Sequence, residues 1–502
     1  MKDSSAGIDR LKPKVIKAIK TEISPIATHL INLSLRQGIF PDKLKEALIT
    51  PVYKKGAHNL ANNYRPISVL NVFSKVFEKF MCNRLVKYLE TTGLLYEHQF
   101  GFRKGHSTEL AVTEAVSIIT KSLNENKTTL AVNMDLSKAF DTINHDILCS
   151  KLEKYGMCGI YLEWFRSYLR NRIQRVRYDQ SVSGPSTILR GVPQGSNLGP
   201  LLFILYINDI HKVSPLCDVI LYADDCNLLF QKPRSQDVTV FRNTVNSTLD
   251  KLSDWFSCND LSLNISKTNY MVFSGRRRVE ISGIRINNAE LQKTRQCNFL
   301  GITIDDKLSW KPHIELTCRK LSRSIGFLRK VNRSFPEVVM RQLYDCFILP
   351  YLQYGISIWG AACKTSLEPL KVLQRKSLKL VLNLPRRTAS TEVHRLAKAL
   401  TIDAIYTIRV ATFVYRFQNF LLPQCFRDYF TINSTVHRHA TRNADRYRLP
   451  LFTTNLCQQS ILFRGPKIWS SVPLVYKQAQ SLPSFKFRFK CFLLDRQNQN
   501  EN

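Results

Sequence analysis

Two adjacent aspartates, Asp224 and Asp225, interrupt "VILYADDCNLLF" and split two apolar runs, 219–222 and 228–230. Runs of that length read as two buried strands joined by a tight turn. The apolar flanks bring the turn to the rim of a core. Two carboxylates held that close raise one another's pKa unless a cation neutralises them. A hard divalent ion, magnesium or manganese, suits such oxygen ligands. Taken alone, the pair is just as well an acidic hairpin tip in water, so its meaning depends on what else the chain brings to it.

The partner it needs is in "AVNMDLSKAFDTINHDIL", where Asp135 ends an apolar stretch, 130–135, that reads as a strand. Beyond it Phe140, Ile143, Ile147, Leu148, Leu152 and Tyr155 recur at helical spacing, and Gly156 is placed to cap that helix. Asp135 alone also suits a helix N-cap. "GPLLFILYI" predicts a buried helix with Pro at its first turn, and Phe241, Val245, Leu249, Leu252 and Phe256 another amphipathic one. "ALITPVYKKGAHNLANNYRPISVLNVFSKVFEKF" reads as strand, basic loop, then helix, and "LSLNISKTNYMVF" returns to strand. The order is then β-α-α-β-β, in which the first strand can lie beside the acidic hairpin. Asp135, Asp224 and Asp225 would converge, and three carboxylates can hold two metals roughly 3.5–4 Å apart, the arrangement for in-line displacement at phosphorus.

Composition narrows the partner. The 502 residues suffice for about three domains, and 44% hydrophobic with 22% charged content is ordinary for globular protein. The charge is not ordinary: Lys+Arg 73 against Asp+Glu 39 leaves +34. A field of that sign calls for a polyanion, nucleic acid first. No basic amphipathic helix with a bulky aromatic face supports a membrane surface instead. The 13 scattered cysteines lack close CxxC pairs, which predicts reduced thiols in an intracellular protein, in nucleus or cytoplasm. No secretion signal is visible at the N-terminus, and the apolar run 201–207 is too short to span a bilayer.

With these residues in view, "LYADD" resembles the YxDD box of reverse transcriptases. The motif order resembles that of non-LTR (LINE-type, jockey-like) retrotransposon enzymes: "NNYRPISVLNVFSKVFEK" in the fingers, "HQFGFRKGHST" after it, "MDLSKAFDTINHDIL" as motif A, "GVPQGSNLGPLLFILYINDI" as motif B, "LSLNISKTNYMVF" as motif D and "FLGITIDDKLSW" as the primer grip. The likeness runs from about Gly7 to at least Gly360. It implies an α+β right-hand polymerase fold: N-terminal extension and fingers over 1–129, a palm with an antiparallel sheet over 130–310, a helical thumb over 311–400 and a basic, mostly helical region over 401–502. The fingers–palm unit would span about 45–305.

The resemblance also implies roles. Asp135, Asp224 and Asp225, with the Leu136 carbonyl, would hold two Mg2+ or Mn2+ ions. Phe140 would block a ribose 2′-hydroxyl, so deoxynucleotides are expected. Arg65 would grip the triphosphate, helped by Lys54 or Lys55, and Gln194 would lie near the incoming sugar. Gly191 and Gly195 would allow close backbone approach. Lys267 would protonate pyrophosphate. Arg103, Lys104, Leu300 and Gly301 would meet template and primer. Asn197 stands where the family often has an apolar residue, and Asn133 interrupts the otherwise apolar strand before Asp135.

The expected activity is RNA-directed DNA polymerisation on an RNA template with a DNA primer and dNTPs. The rivals are a catalytically silent nucleic-acid-binding relic and a polymerase copying DNA. The chain opens with a segment resembling the start of the polymerase region, so an endonuclease domain is expected to be lacking. Cys425, His437, His439 and Cys457 are too irregularly spaced to predict a zinc site. In "SLPSFKFRFKCFLL", Phe485, Phe489 and Leu493 are expected on one buried helix face, with stacking on single-stranded bases as the alternative.

Overall fold

A computed structural model describes residues 5–275, 278–436, 444–452 and 454–499. Its centre is a five-stranded sheet in the spatial order Gln292–Lys293, Asn269–Phe273, Thr128–Met134, Asp225–Lys232, Asp218–Tyr222. The pairings are antiparallel except that of the short edge strand Gln292–Lys293 with Asn269–Phe273. Every residue of Thr128–Met134 except Asn133 is buried. The strand is covered on both faces, which is why it reads as an unbroken apolar run rather than as an alternation.

Alternation survives in a different form, because successive side chains enter different cores. Leu130, Val132, Met134, Leu228 and Phe230 join one cluster with the helices Val72–Thr91, Gly199–Ile207 and Val238–Cys258. Ala131, Leu229, Ile220 and Met271 face the other way, onto the helix Thr108–Asn124. That second cluster continues through the helices Lys311–Val331, Lys364–Val381 and Ile402–Gln418 to Phe485, Phe489 and Leu493 of the last helix, Leu482–Gln499. The tail helix therefore buries the face expected of it, while Phe487 stays 70% exposed.

A smaller sheet precedes the centre. Glu46–Tyr53 pairs antiparallel with Tyr64–Leu70 and parallel with Arg172–Tyr178. The strand Tyr64–Leu70 lies in a stretch expected to pass from basic loop straight to helix. Pairing with Glu46–Tyr53 selected it, through a partner that local pattern does not show.

Two other expectations are corrected. The helix after Asp135 begins only at His145, capped by the Asn144 side chain, which accepts from Asp146 N at 2.9 Å and Ile147 N at 3.3 Å. Asp135 is thus not a helix cap, and Phe140 lies in a turn rather than starting the helix. The motif D strand is broken: Ser262–Leu263 and Asn269–Phe273 are separate, because the turn between them fastens to Asp135. Asn133 is accommodated in its strand, donating to Asn269 Oδ1 at 3.0 Å. Cys457 is buried, with its thiol against the Thr120 carbonyl. His437 and His439 lie outside the described residues. All 13 cysteines are free thiols. Among the described residues no helix is long and apolar enough to cross a membrane.

Candidate active site

The acidic turn is a two-residue hairpin. Tyr222 pairs with Asp225, leaving Ala223 and Asp224 between the strands. The register continues across the sheet, Met134 opposite Cys226, so the next residue on each chain brings Asp135 beside Asp225. Backbone pairing has drawn the distant carboxylate to the adjacent pair. Asp135 is then pinned by its own main chain: its carbonyl accepts from Asn264 N at 2.8 Å, and its N–H donates to Thr268 Oγ1 at 3.4 Å. Leu136 pairs with Leu263 beside it. The same turn delivers Lys267, whose Nζ lies 3.3 Å from Asp135 Oδ2.

The carboxylates share one field. Surrounding protein desolvates Asp225 and, with the Asp224 and Asp135 charges, pushes its pKa up to about 6. Asp224 is raised too, chiefly by desolvation and then by Asp135; its own backbone hydrogen bond and the Lys54 and Arg65 cations oppose the rise. Both side chains open to solvent, so the crowding comes from walls around them, and water limits its strength. Arg65 lies in the strand Tyr64–Leu70 of the smaller sheet, opposite Val52, and Lys54 directly follows the partner strand Glu46–Tyr53. They overlook the acidic turn from across the cleft. As the side chains stand, no three His, Cys, Asp or Glu among the described residues are close enough to cage a metal ion. Lys267 is the cation beside Asp135.

A second group forms the neighbouring wall. Phe140 stacks on Phe203, centroids 4.5 Å apart, and meets Phe102 edge-on at 6.1 Å. Its carbonyl accepts from Val192 N at 2.9 Å, joining motif A to motif B. Gln194 donates to Asp141 Oδ1 at 2.9 Å, and its carbonyl accepts from Ser68 N at 2.8 Å. Gly195 has φ +133°, and a Cβ there would collide with the Ser68 carbonyl. Gly191, at φ +85°, leaves no room either: a Cβ would sit 2.7 Å from the Asp141 carbonyl. Asn197 donates its N–H to buried Glu78 at 2.6 Å and its amide to the Lys75 carbonyl at 2.9 Å. The departure from an apolar residue is therefore a tether between motif B and the Val72–Thr91 helix.

The remaining predicted residues lie around this centre. Leu300 and Gly301 form the turn between strands Gln296–Phe299 and Ile302–Asp305. Tyr354 holds that turn, donating to the Leu300 carbonyl. Lys104 is exposed. Arg103 turns inward, donating to the carbonyls of Tyr96 at 2.8 Å and Gln99 at 3.3 Å. Lys55 is exposed on its loop.

Several side chains that order this site carry no motif signature of their own. Asn62 accepts from Lys138 Nζ at 2.9 Å and ties the basic loop to the palm. Asp141 holds Gln194, and Glu78 holds Asn197. Gln99 contacts the acidic turn directly. The only sequence signal for them was membership of the quoted motifs.

An antiparallel sheet with acidic residues at its turn, facing cations from a second sheet, is the arrangement of a right-hand polymerase fold. The chain matches the family described as "Reverse transcriptase (RNA-dependent DNA polymerase)" over residues 52–304, about half its length, and belongs to that family. It is 31% identical over 411 residues to "Probable RNA-directed DNA polymerase from transposon BS" of Drosophila melanogaster, covering 80% of this chain and 45% of that protein. It is 26% identical over 400 residues to "RNA-directed DNA polymerase from mobile element jockey" of the same fly, covering 78% and 43%. The chain thus spans less than half the length of these relatives. Among solved structures, telomerase from Candida albicans aligns at 12% identity with a TM-score of 0.43, covering 72% of this chain and 68% of that one.

Proposed function

We propose that this chain is an RNA-directed DNA polymerase that extends a DNA primer on an RNA template with dNTPs. The observation that carries the reading is the sheet register that sets Asp135 beside Asp225 at the turn bearing Asp224; desolvation, with the neighbouring Asp224 and Asp135 charges added, pushes the Asp225 pKa up to about 6. Carboxylates that repel one another while open to solvent favour a hard divalent cation. The donor set fits Mg2+ or Mn2+, two ions, with Asp135, Asp224, Asp225 and the Leu136 carbonyl as holders; Asp135 must first give up its contact with Lys267. Such ions would lower the pKa of the primer 3′-hydroxyl and offset charge on the departing pyrophosphate.

The chain's own groups supply the rest. Arg65, a planar bidentate donor, binds the triphosphate with Lys54 beside it. Phe140, fixed by its stack on Phe203, excludes a 2′-hydroxyl. Gln194, held by Asp141, orients the sugar, and Gly195 lets backbone approach it. Lys267 carries a proton at Nζ for the leaving pyrophosphate. Lys104 and the Leu300–Gly301 turn meet template and primer, while Arg103 acts through the loop it braces.

The units proposed are fingers over 1–129, palm over 130–310, thumb over 311–400 and a basic C-terminal region over 401–502, working inside the cell, in nucleus or cytoplasm. Duplex recognition rests on A-like shape and backbone. The test is extension of a DNA primer on RNA by purified protein with magnesium and dNTPs. Asp224→Asn should abolish it. Salt-sensitive binding without extension by the wild type would favour the silent relic, and equal extension on a DNA template would remove the RNA preference.

A further inference from the structure

The turn that presents Asp224 and Asp225 is held from outside its own hairpin. Ala223, the residue before Asp224, has φ +54°, a left-handed conformation unfavourable for any residue with a Cβ. Such strain persists only where the surroundings over-determine it. The two-residue hairpin itself calls for a positive φ at its first residue, and a further restraint comes from the segment 98–101, which lies against the sheet edge. Phe100 N donates to the Leu221 carbonyl at 2.8 Å, and Leu221 N to the His98 carbonyl at 3.0 Å. Gln99, wholly buried between them, turns its side chain to the acidic turn. Its Oε1 accepts two backbone N–H groups, from Gly101 at 2.8 Å and from Ala223 at 3.1 Å.

The fit leaves no slack. A Cβ at Gly101 would collide with the Ala223 nitrogen. Gln99 is itself fixed, since Arg103 donates to its carbonyl. A single buried amide oxygen thus clamps the loop that follows it to the residue that aims the acidic pair.

We infer that Gln99 is a positioning residue for nucleotidyl transfer: its amide oxygen locks Ala223 in the left-handed conformation and so fixes where the Asp224 and Asp225 carboxylates point. The inference rests on the polymerase reading above, but its structural half can be measured without activity. A small displacement of reacting groups costs on the order of 100-fold in rate, so the clamp should act on turnover and not on binding.

Gln99→Met keeps the side-chain length and removes the acceptor. It should lower kcat by roughly 10–100-fold while template–primer Kd and dNTP KM stay within about 3-fold of wild type, the pattern of an interaction used after binding. Gln99→Glu restores an acceptor. Its buried carboxyl, when protonated, accepts through its carbonyl oxygen, so activity relative to wild type at the same pH should be highest at acidic pH. It should fall as pH rises and a negative charge arrives beside the acidic pair; a role in packing alone would give no such profile. Independently, hydrogen exchange at the Ala223 amide should quicken about 10-fold in Gln99→Met, the loss of one ordinary hydrogen bond, and slow again in Gln99→Glu.

Unchanged kcat in Gln99→Met overturns the proposal. So does a loss of kcat matched by equal losses in melting temperature and template–primer affinity, which would be general fold damage. If the wild type fails to extend primers, the polymerase reading fails separately; Ala223 exchange still decides the clamp, and an unchanged rate in Gln99→Met overturns it.

Discussion

Replacing Asp225 with Asn should stabilise this protein while destroying its proposed activity. Asp225 titrates at about 6 in the folded chain, whereas an ordinary Asp titrates near ~3.9. The native state therefore holds a proton on Asp225 more tightly than the unfolded chain does. Sign follows directly: below pH ~4 the group is protonated in both states and costs nothing, and stability falls as pH climbs toward 6 and stays lowered above it. The full difference corresponds to roughly 3 kcal/mol at neutral pH. Asp225 opens to solvent, and screening reduces that to about 1 kcal/mol.

At pH 8, without divalent ion, Asp225→Asn should melt about 2–4 °C above wild type if the palm unfolds as a unit of its own size; at pH 4 the two should coincide. Added magnesium or manganese should reverse the order, because an ion bound only by the native state stabilises it in proportion to RT ln(1 + [L]/Kd). Wild type gains that increment and the variant does not. Differential scanning calorimetry across pH and metal concentration reads both effects. Wild type melting above the variant at pH 8 without metal, or equal metal shifts in the two proteins, would refute the shared-field account of the site.

Other outcomes follow from the same geometry. Gly195→Ala, forced to φ +133° against the Ser68 carbonyl, should cost about 2 kcal/mol or more by denaturant titration; a cost within error would mean the motif B loop is free to move. Phe140→Ala should raise the ribonucleotide-to-deoxynucleotide ratio of kcat/KM by ~10-fold or more, read in single-nucleotide incorporation, and an unchanged ratio removes Phe140 from discrimination. Template–primer affinity should fall steeply with salt, roughly ten phosphate contacts giving a log–log slope of about −9 in fluorescence anisotropy; a slope nearer −3 would confine binding to a few cations. Glu114 is buried, accepts from Tyr429 and titrates at about 7. Its charge lowers stability as pH rises from ~4 toward 7, so Glu114→Gln should melt above wild type at pH 8 but not at pH 4.

Much of the site was legible in the amino-acid sequence alone. The apolar runs around Asp224 and Asp225, and the run ending in Asp135, announce buried strands because burial on both faces leaves no polar positions to blur them. The helix Gly199–Ile207 was equally visible from its Pro start and apolar run, and Val238–Cys258 and Leu482–Gln499 from their spacing. What failed depended on partners. Tyr64–Leu70 is a strand because Glu46–Tyr53 pairs with it. The stretch from Phe140 to Asn144 stays out of the helix because backbone bonds to Val192 and Gly191 claim it.

The residue types at the acidic centre, and the chemistry open to them, were fixed by the chain's composition and order, since charge, ligand hardness and strand pattern are properties of short segments. Their convergence was not. Asp135 meets Asp225 only through a sheet register set across about ninety intervening residues, and the Ala223 amide is met by Gln99, far away in the chain, which offers one oxygen to two amides. Backbone hydrogen bonds between distant segments carry no trace in either segment alone, so only the packed structure could decide which side chains share one field.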